Sequence, residues 1–154
     1  MAKKKKWEID DLDEDKSLTE TAKIVLTQKI KILEISLKKY FKNDSVNNLH
    51  EVRIAIRRLR YNMEIFLSCF NRKKYLKFYK TIVHLQDLTG SKRDYDVLLQ
   101  NIEKLSSAEQ IERDENLNNI IKDKISHLKE TLKIEFVKFL ESKEYKDFQK
   151  LFLK

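Results

Sequence analysis

The chain contains no proline and only one glycine, Gly90, in 154 residues. The tight turns that join β-strands depend on these two residue types, so a sheet-rich fold is disfavoured. Long helices need neither of them, and the abundant Leu, Lys, Glu, Ile and Arg are good helix formers. Apolar residues make up 41% of the chain, and the length suffices for one domain with a core. The sequence therefore predicts an all-α protein.

Cysteine content and hydropathy exclude several classes of protein. A single cysteine, Cys69, cannot form an intramolecular disulfide or a Cys-based zinc site, and its apolar neighbours indicate a buried thiol. No apolar run approaches the ~20 residues that span a bilayer. The N-terminal lysines are not followed by the apolar segment of a signal peptide. We therefore expect a cytoplasmic protein.

Helical periodicity divides the chain into a leader and a bundle. Residues 1–16 form a charged, mobile leader, with Trp7 and Ile9 placed to contact the domain, and residues 17–154 form the bundle. Ser17 and Ser45 are typical helix caps, and Gly90 is suited to end a helix. Short connections predict an antiparallel bundle of about four long and two short helices. The predicted helices cover 18–42, 46–70, 72–89, Asp94 or Asp96 to about 105, 109–141 and 145–152.

The positive charge of the chain is concentrated in one region. The net charge is +8 overall. Residues 17–104 contain eighteen Lys or Arg against nine Asp or Glu, whereas residues 1–16 have a net charge of −1 and residues 105–154 are balanced. A local excess of this kind indicates an anionic partner or a basic soluble surface.

The second predicted helix carries four basic side chains beside its apolar face. His50, Arg53, Arg57 and Arg60 recur at i, i+3, i+7 and i+10, and at about 100° per residue they share a sector roughly 60° wide. This sector borders the apolar face and is about 15 Å long. Arg58 projects elsewhere. We name the four side chains the basic row.

The basic row has two possible explanations. Like charges repel along a helix, by a few tenths of a kcal/mol for each i,i+4 pair, and solvated faces usually interleave acids. Glu64 extends the row at its end, but no acid lies within it. Arginine forks bind phosphate oxygens, and His50 adds a donor that gains a proton near neutral pH. The row is either an anion site or a set of partners for carboxylates on other helices.

Other basic positions are candidates for the same site. Lys29 lies at the margin of the first helix's apolar face, where a lysine must reach solvent or meet an anion. Lys77 and Lys80 stack on the third predicted helix, nearly opposite its apolar face, as is typical of solvent surface. Arg93 is predicted near a helix N-terminus, where free backbone N–H groups attract anions.

Two segments resemble the motifs of a known family. The stretch LHEVRIAIRRLRYNMEIF, residues 49–66, resembles the H-x-x-R-V-x-x-R-R-L-R signature of the CHAD domain, named for its conserved-histidine α-helical character. The stretch TGSKRDYDVLL, residues 89–99, resembles the family's later LG-x-x-RD-x-DV-L-L motif. Residues 3–26, with a Trp before an acidic linker, are similar to a common lead-in of this family.

The resemblance implies an all-helical protein that binds inorganic polyphosphate in a basic groove, without known catalysis by the domain. Many members occur with polyphosphate granules, or are fused to triphosphate-cleaving tunnel domains. Full family domains often contain two helical halves with the groove between them, and this chain resembles the first half. We therefore expect two chains to combine, through the helices after residue 105. The positions that match basic sites of the family are Lys29, His50, Arg53, Arg57, Arg58, Arg60, Lys77, Lys80 and Arg93.

Two other function classes remain as alternatives. The net charge and the KKKK run allow nucleic-acid binding, although no helix-turn-helix pattern is evident. A hydrolase or metal protein needs clustered ligands or nucleophiles, and His50, His84 and His127 are far apart in sequence. No HxxxH pair or P-loop is present. We expect no catalysis, no cofactor and no metal site.

Overall fold

Five α-helices and one short 3₁₀-helix make up the described part of the chain. The computed structural model describes residues 8, 9, 12, 14–109, 112 and 114–152. These ranges contain no strand, which confirms the all-α prediction. The helices are α1 (Leu18–Lys42), α2 (Val46–Ile65), α3 (Arg72–Glu109), α4 (Glu115–Glu141) and α5 (Lys143–Phe152), with the 3₁₀-helix at Leu67–Cys69.

Side-chain caps fix where the first two helices begin. The Ser17 hydroxyl accepts from the Glu20 backbone N–H, and the Glu20 carboxylate accepts from the Ser17 N–H, at 3.2 and 2.8 Å. The Ser45 hydroxyl accepts from the Asn48 N–H at 3.2 Å. Each bond satisfies a backbone donor that has no partner within the helix. Both predicted helix starts are therefore confirmed.

The helices pack around one core. Successive helices are neighbours from α1 to α4, and α5 packs against α1, α3 and α4. Aromatic rings join the later helices to the earlier ones: Phe148 of α5 stacks on Phe78 of α3 at 3.9 Å, and Phe136 of α4 meets Tyr40 of α1 edge-on at 5.7 Å. Because these rings are buried, α4 and α5 close the bundle that α1, α2 and α3 begin.

The predicted break at Gly90 is wrong, since α3 runs without interruption from Arg72 to Glu109. A glycine inside a helix costs about 1 kcal/mol relative to alanine. The buried face of α3 nevertheless continues across it, at Leu85, Thr89 and Lys92, and tertiary packing of this kind provides most of a helix's stability. The helices predicted for residues 72–89 and for Asp94 onward are therefore one helix.

Three other predicted boundaries shift. The second helix ends at Ile65 instead of residue 70, because the chain tightens into the 3₁₀-helix. α4 begins at Glu115 instead of 109, where the Asp114 carboxylate accepts two backbone N–H bonds. α5 begins at Lys143, two residues early. Cys69 is partly buried against the core.

Much of the predicted leader, including Trp7, lies outside the described residues. Ile9 is described, and it packs half-buried against the core. Within the described ranges, no helix has both the length and the apolar character needed to cross a bilayer.

Candidate anion-binding surface

Two contacts between α2 and α3 set how these helices lie against each other. The Tyr75 hydroxyl donates to the Met63 backbone carbonyl at 2.7 Å, and Arg60 Nε lies 3.4 Å from the Tyr79 hydroxyl. The contacts pair a later residue of α3 with an earlier residue of α2, so the helices are antiparallel. On its other side α2 faces α1, where Lys39 Nζ is 3.3 Å from a Glu51 carboxylate oxygen.

The basic row lies on the flank of α2 that faces α3. The contact between Arg60 and Tyr79 places one end of the row at this seam, and the helical period places the other three side chains on the same flank. Arg53 and Arg60 are half-buried, while His50 and Arg57 are exposed. The predicted position of the row at the edge of the core is therefore what the structure shows.

Most of the basic row is without a protein partner among the described residues. Arg60 forms an ion pair with Glu64 of its own helix at 3.0 Å. Over the described ranges, no carboxylate oxygen lies within 4.0 Å of a side-chain nitrogen of His50, Arg53 or Arg57. Pairing with carboxylates of other helices, the alternative explanation of the row, is thus not observed in this part of the chain.

One end of the row is held by a residue that the sequence did not identify. The ring of Tyr79 packs against the core, and its hydroxyl donates to Glu64 Oε1 at 2.7 Å. This hydrogen bond, followed by the interaction with Arg60, lowers the pKa of Glu64. The sequence shows that Glu64 follows the row at its end, whereas the contact of Tyr79 with Glu64 depends on how α3 packs against α2.

Lys29 of α1 and Arg58 of α2 meet at the α1–α2 seam, on the other side of α2 from the basic row. Lys29 is half-buried, as its place at the margin of the apolar face predicted. Burial, and then the positive charge of Arg58, lower the pKa of Lys29. The two cations therefore interact across the α1–α2 seam and are separated from the basic row by the body of α2.

The remaining candidates lie on α3. Lys77 lines a surface cavity together with residues of α5, among them Glu144 and Asp147, so it faces away from α2. Lys80 is exposed. Arg93 lies half-buried in the middle of α3, not at a helix start, which corrects the expectation of free backbone N–H groups beside it. The structure thus brings together the four side chains of the row and turns Lys77 towards α5, while the place of Lys80 and Arg93 in the site stays a prediction.

An acidic residue of the second motif is already engaged. Asp96 is buried, and its two carboxylate oxygens accept from Lys92 Nζ at 2.6 and 2.7 Å. A buried carboxylate needs such a partner, because an unpaired charge in the interior is costly. Asp96 is therefore paired within α3 and does not compete for the arginines of the row.

The geometry suits the binding of an extended anion. Unpaired guanidinium groups at a seam offer planar donor pairs that match phosphate oxygens. No group of three or more metal-ligating side chains occurs among the described residues. The surface can therefore supply hydrogen bonds and positive charge along a line of about 15 Å.

Fold and surface together define the class of protein: an all-helical domain with a basic row along one helix seam. A family model, described as CHAD domain, matches residues 2–103, and the chain belongs to this family. The match includes both motifs and most of α1 to α3, whereas α4 and α5 lie outside it. No curated protein and no solved structure matches the chain.

Proposed function

We propose that this protein binds inorganic polyphosphate, or a similar phosphate-rich polyanion, through the basic row and without turning it over. The observation that carries the proposal is that Arg53 and Arg57 lie unpaired, among the described residues, at the edge of the core. Membership of the CHAD family supports the choice of ligand, because the family is linked to polyphosphate.

Salt dependence supplies the first test. A polyanion releases condensed counterions when cations bind it, so the logarithm of the affinity falls linearly with the logarithm of salt concentration. We expect this slope to be steep for the wild-type protein. Each phosphate contact that a variant removes should make the slope shallower by roughly one. Fluorescence titration with polyphosphate across a salt series measures both quantities.

A charge-matched pair of variants locates the site. One variant carries Arg53→Ala, Arg57→Ala and Arg60→Ala, and it should lose at least about tenfold in affinity, with a shallower slope. The other removes three exposed cations that lie away from the row, Lys38, Lys124 and Lys146, and should lose much less. Equal losses in the two variants, or undiminished binding by the first, would show that the row is not the site.

Two further assays check the ligand and the absence of turnover. Polyphosphate incubated with the protein and divalent metal should keep its chain length on a gel, and released phosphate would contradict a purely binding role. Duplex DNA or RNA at equal phosphate concentration should displace polyphosphate poorly. Efficient displacement would favour nucleic-acid binding instead.

Co-localisation with polyphosphate granules in cells follows from the proposal and is checked by fluorescence microscopy.

The expectation that two chains combine stays a prediction. Ile134 and Val137 of α4 are 55% and 44% exposed, so a helix after residue 105 does present apolar surface. Light scattering with and without polyphosphate measures the mass. A monomer under both conditions would contradict the prediction.

A further inference from the structure

We propose that Glu64 and Tyr79 are positioning residues, which hold Arg60 by its Nε atom so that its terminal nitrogens point to the ligand. The inference rests on the proposed function and deepens it, since it concerns how one arginine of the basic row is presented.

The contacts of Arg60 leave one edge of its guanidinium group available. Arg60 Nε lies 3.0 Å from Glu64 Oε1 and 3.4 Å from the Tyr79 hydroxyl. Its two terminal nitrogens have no hydrogen bond to any described residue. Those nitrogens form the donor pair that bridges two oxygens of a phosphate group. Glu64 therefore binds Arg60 without blocking the edge that an anion uses.

Tyr79 makes the contact more persistent than the helix alone would. An exposed i,i+4 ion pair contributes little, and the order Arg then Glu is the weaker of the two orientations. The Tyr79 hydroxyl adds a hydrogen bond to the same Glu64 oxygen at 2.7 Å, from a ring that packs against the core. The ion pair of Arg60 with Glu64 is thus connected to α3, and the side chain of Arg60 is only 29% exposed.

The arrangement has a measurable consequence for binding. A free arginine loses rotamer freedom when it binds a ligand, and a side chain that is already held loses less. Loss of Glu64 should therefore weaken polyphosphate binding, even though the variant gains positive charge. If Glu64 merely repelled the ligand, its loss would strengthen binding. The two models therefore predict opposite changes in the affinity for polyphosphate when Glu64 is removed.

Glu51 provides the matched control. It lies on the same helix, pairs with Lys39 on the opposite flank, and its side chain is 52% exposed against 44% for Glu64. Glu51→Ala and Glu64→Ala change the net charge equally. We expect the dissociation constant for polyphosphate at low salt to be about three- to tenfold higher for Glu64→Ala than for Glu51→Ala.

Two variants separate positioning from a general effect on the fold. Glu64→Gln keeps an acceptor oxygen for Arg60 Nε at the same net charge as Glu64→Ala, so it should restore part of the lost affinity. Tyr79→Phe keeps the ring and removes only the hydroxyl, and should raise the dissociation constant about two- to threefold. In an Arg60→Ala background, Glu64→Ala should weaken binding no further. Equal or tighter binding by Glu64→Ala, relative to Glu51→Ala, would overturn the inference.

A ligand-free measurement distinguishes failure of this inference from failure of the proposed function. The Arg60 Nε–H resonance in ¹⁵N NMR should exchange slowly with water in the wild-type protein and quickly in Glu64→Ala and Tyr79→Phe. Fast exchange in the wild type overturns the positioning of Arg60 whatever the protein binds. If exchange is slow but the wild-type protein does not bind polyphosphate, the proposed ligand is refuted. The positioning of Arg60 by Glu64 and Tyr79 then still stands.

Discussion

The Tyr75 hydroxyl donates a hydrogen bond to the backbone carbonyl of Met63 at 2.7 Å. Met63 lies in the last turn of α2, where carbonyl groups lack partners within the helix. One side chain of α3 therefore caps α2 and fixes the register between the two helices. That register brings Tyr79 to Arg60 and Glu64, so a contact in the core determines which residue of α3 holds one end of the basic row.

Replacing Tyr75 by Phe should destabilise the protein by about 1–2 kcal/mol, because the buried Met63 carbonyl would lose its partner. Tyr40→Phe is the matched control. The Tyr40 hydroxyl is also buried but has no hydrogen-bond partner among the described residues, so its removal should cost little or nothing. Urea unfolding followed by circular dichroism measures both free energies. Equal losses would contradict the role of the bond.

The loop between α1 and α2 is tied to α4 by Asp44, whose carboxylate oxygens lie 2.9 Å from Lys129 Nζ and 2.6 Å from Lys133 Nζ. These hydrogen bonds lower the pKa of Asp44 from 3.8 to about 2. Because the folded-state pKa is the lower one, the contribution to stability is present above about pH 4 and is lost as the pH falls to about 2.

Asp44→Asn should therefore cost up to about 1 kcal/mol at pH 7, a modest amount because the carboxylate is partly exposed and screened by solvent. The difference between the wild type and the variant should shrink below about pH 4 and vanish only below about pH 2. Unfolding free energies measured across this range check the prediction. A difference that stays constant with pH would show that the carboxylate acts through something other than its charge.

The sequence predicts well those features that depend on a few neighbouring residues. The caps at Ser17 and Ser45 and the place of the basic row beside the apolar face are set by spacing within one helix, and the structure has all of them. The sequence does not reveal features that depend on contacts with another helix. Tyr79 reads as a core residue, and only its level on α3 shows that the hydroxyl reaches Glu64.

Two other features have the same physical origin. The direction of Lys77 depends on where α5 packs, since Lys77 lines a cavity there, and its place in the site stays a prediction. Gly90 has the local properties of a helix end, yet the buried residues on both sides of it keep α3 continuous. In both cases contacts distant in sequence outweigh a local preference.

Gly90→Ala should stabilise the protein by about 0.5–1 kcal/mol, since alanine is the better residue inside a helix. A methyl group at this position would meet nothing within 4 Å, so no clash offsets the gain. Ser91→Gly, at the exposed neighbouring position, should destabilise by a similar amount. Thermal unfolding measures both changes. A loss of stability in Gly90→Ala would mean that residue 90 ends a helix in a left-handed conformation.

His50 is the one histidine of the basic row, and its side chain is exposed to solvent. A bound polyanion favours the protonated imidazole of His50, so polyphosphate should bind about three- to tenfold more tightly at pH 5.5 than at pH 8, the effect of about one charged contact. His50→Gln should flatten this dependence. His84→Gln is the control, because His84 is also exposed to solvent but lies 3.4 Å from Glu135 on the α4 side of α3, and it should keep the wild-type profile. An unchanged pH profile in His50→Gln would place His50 outside the site and leave the arginines to bind the anion alone.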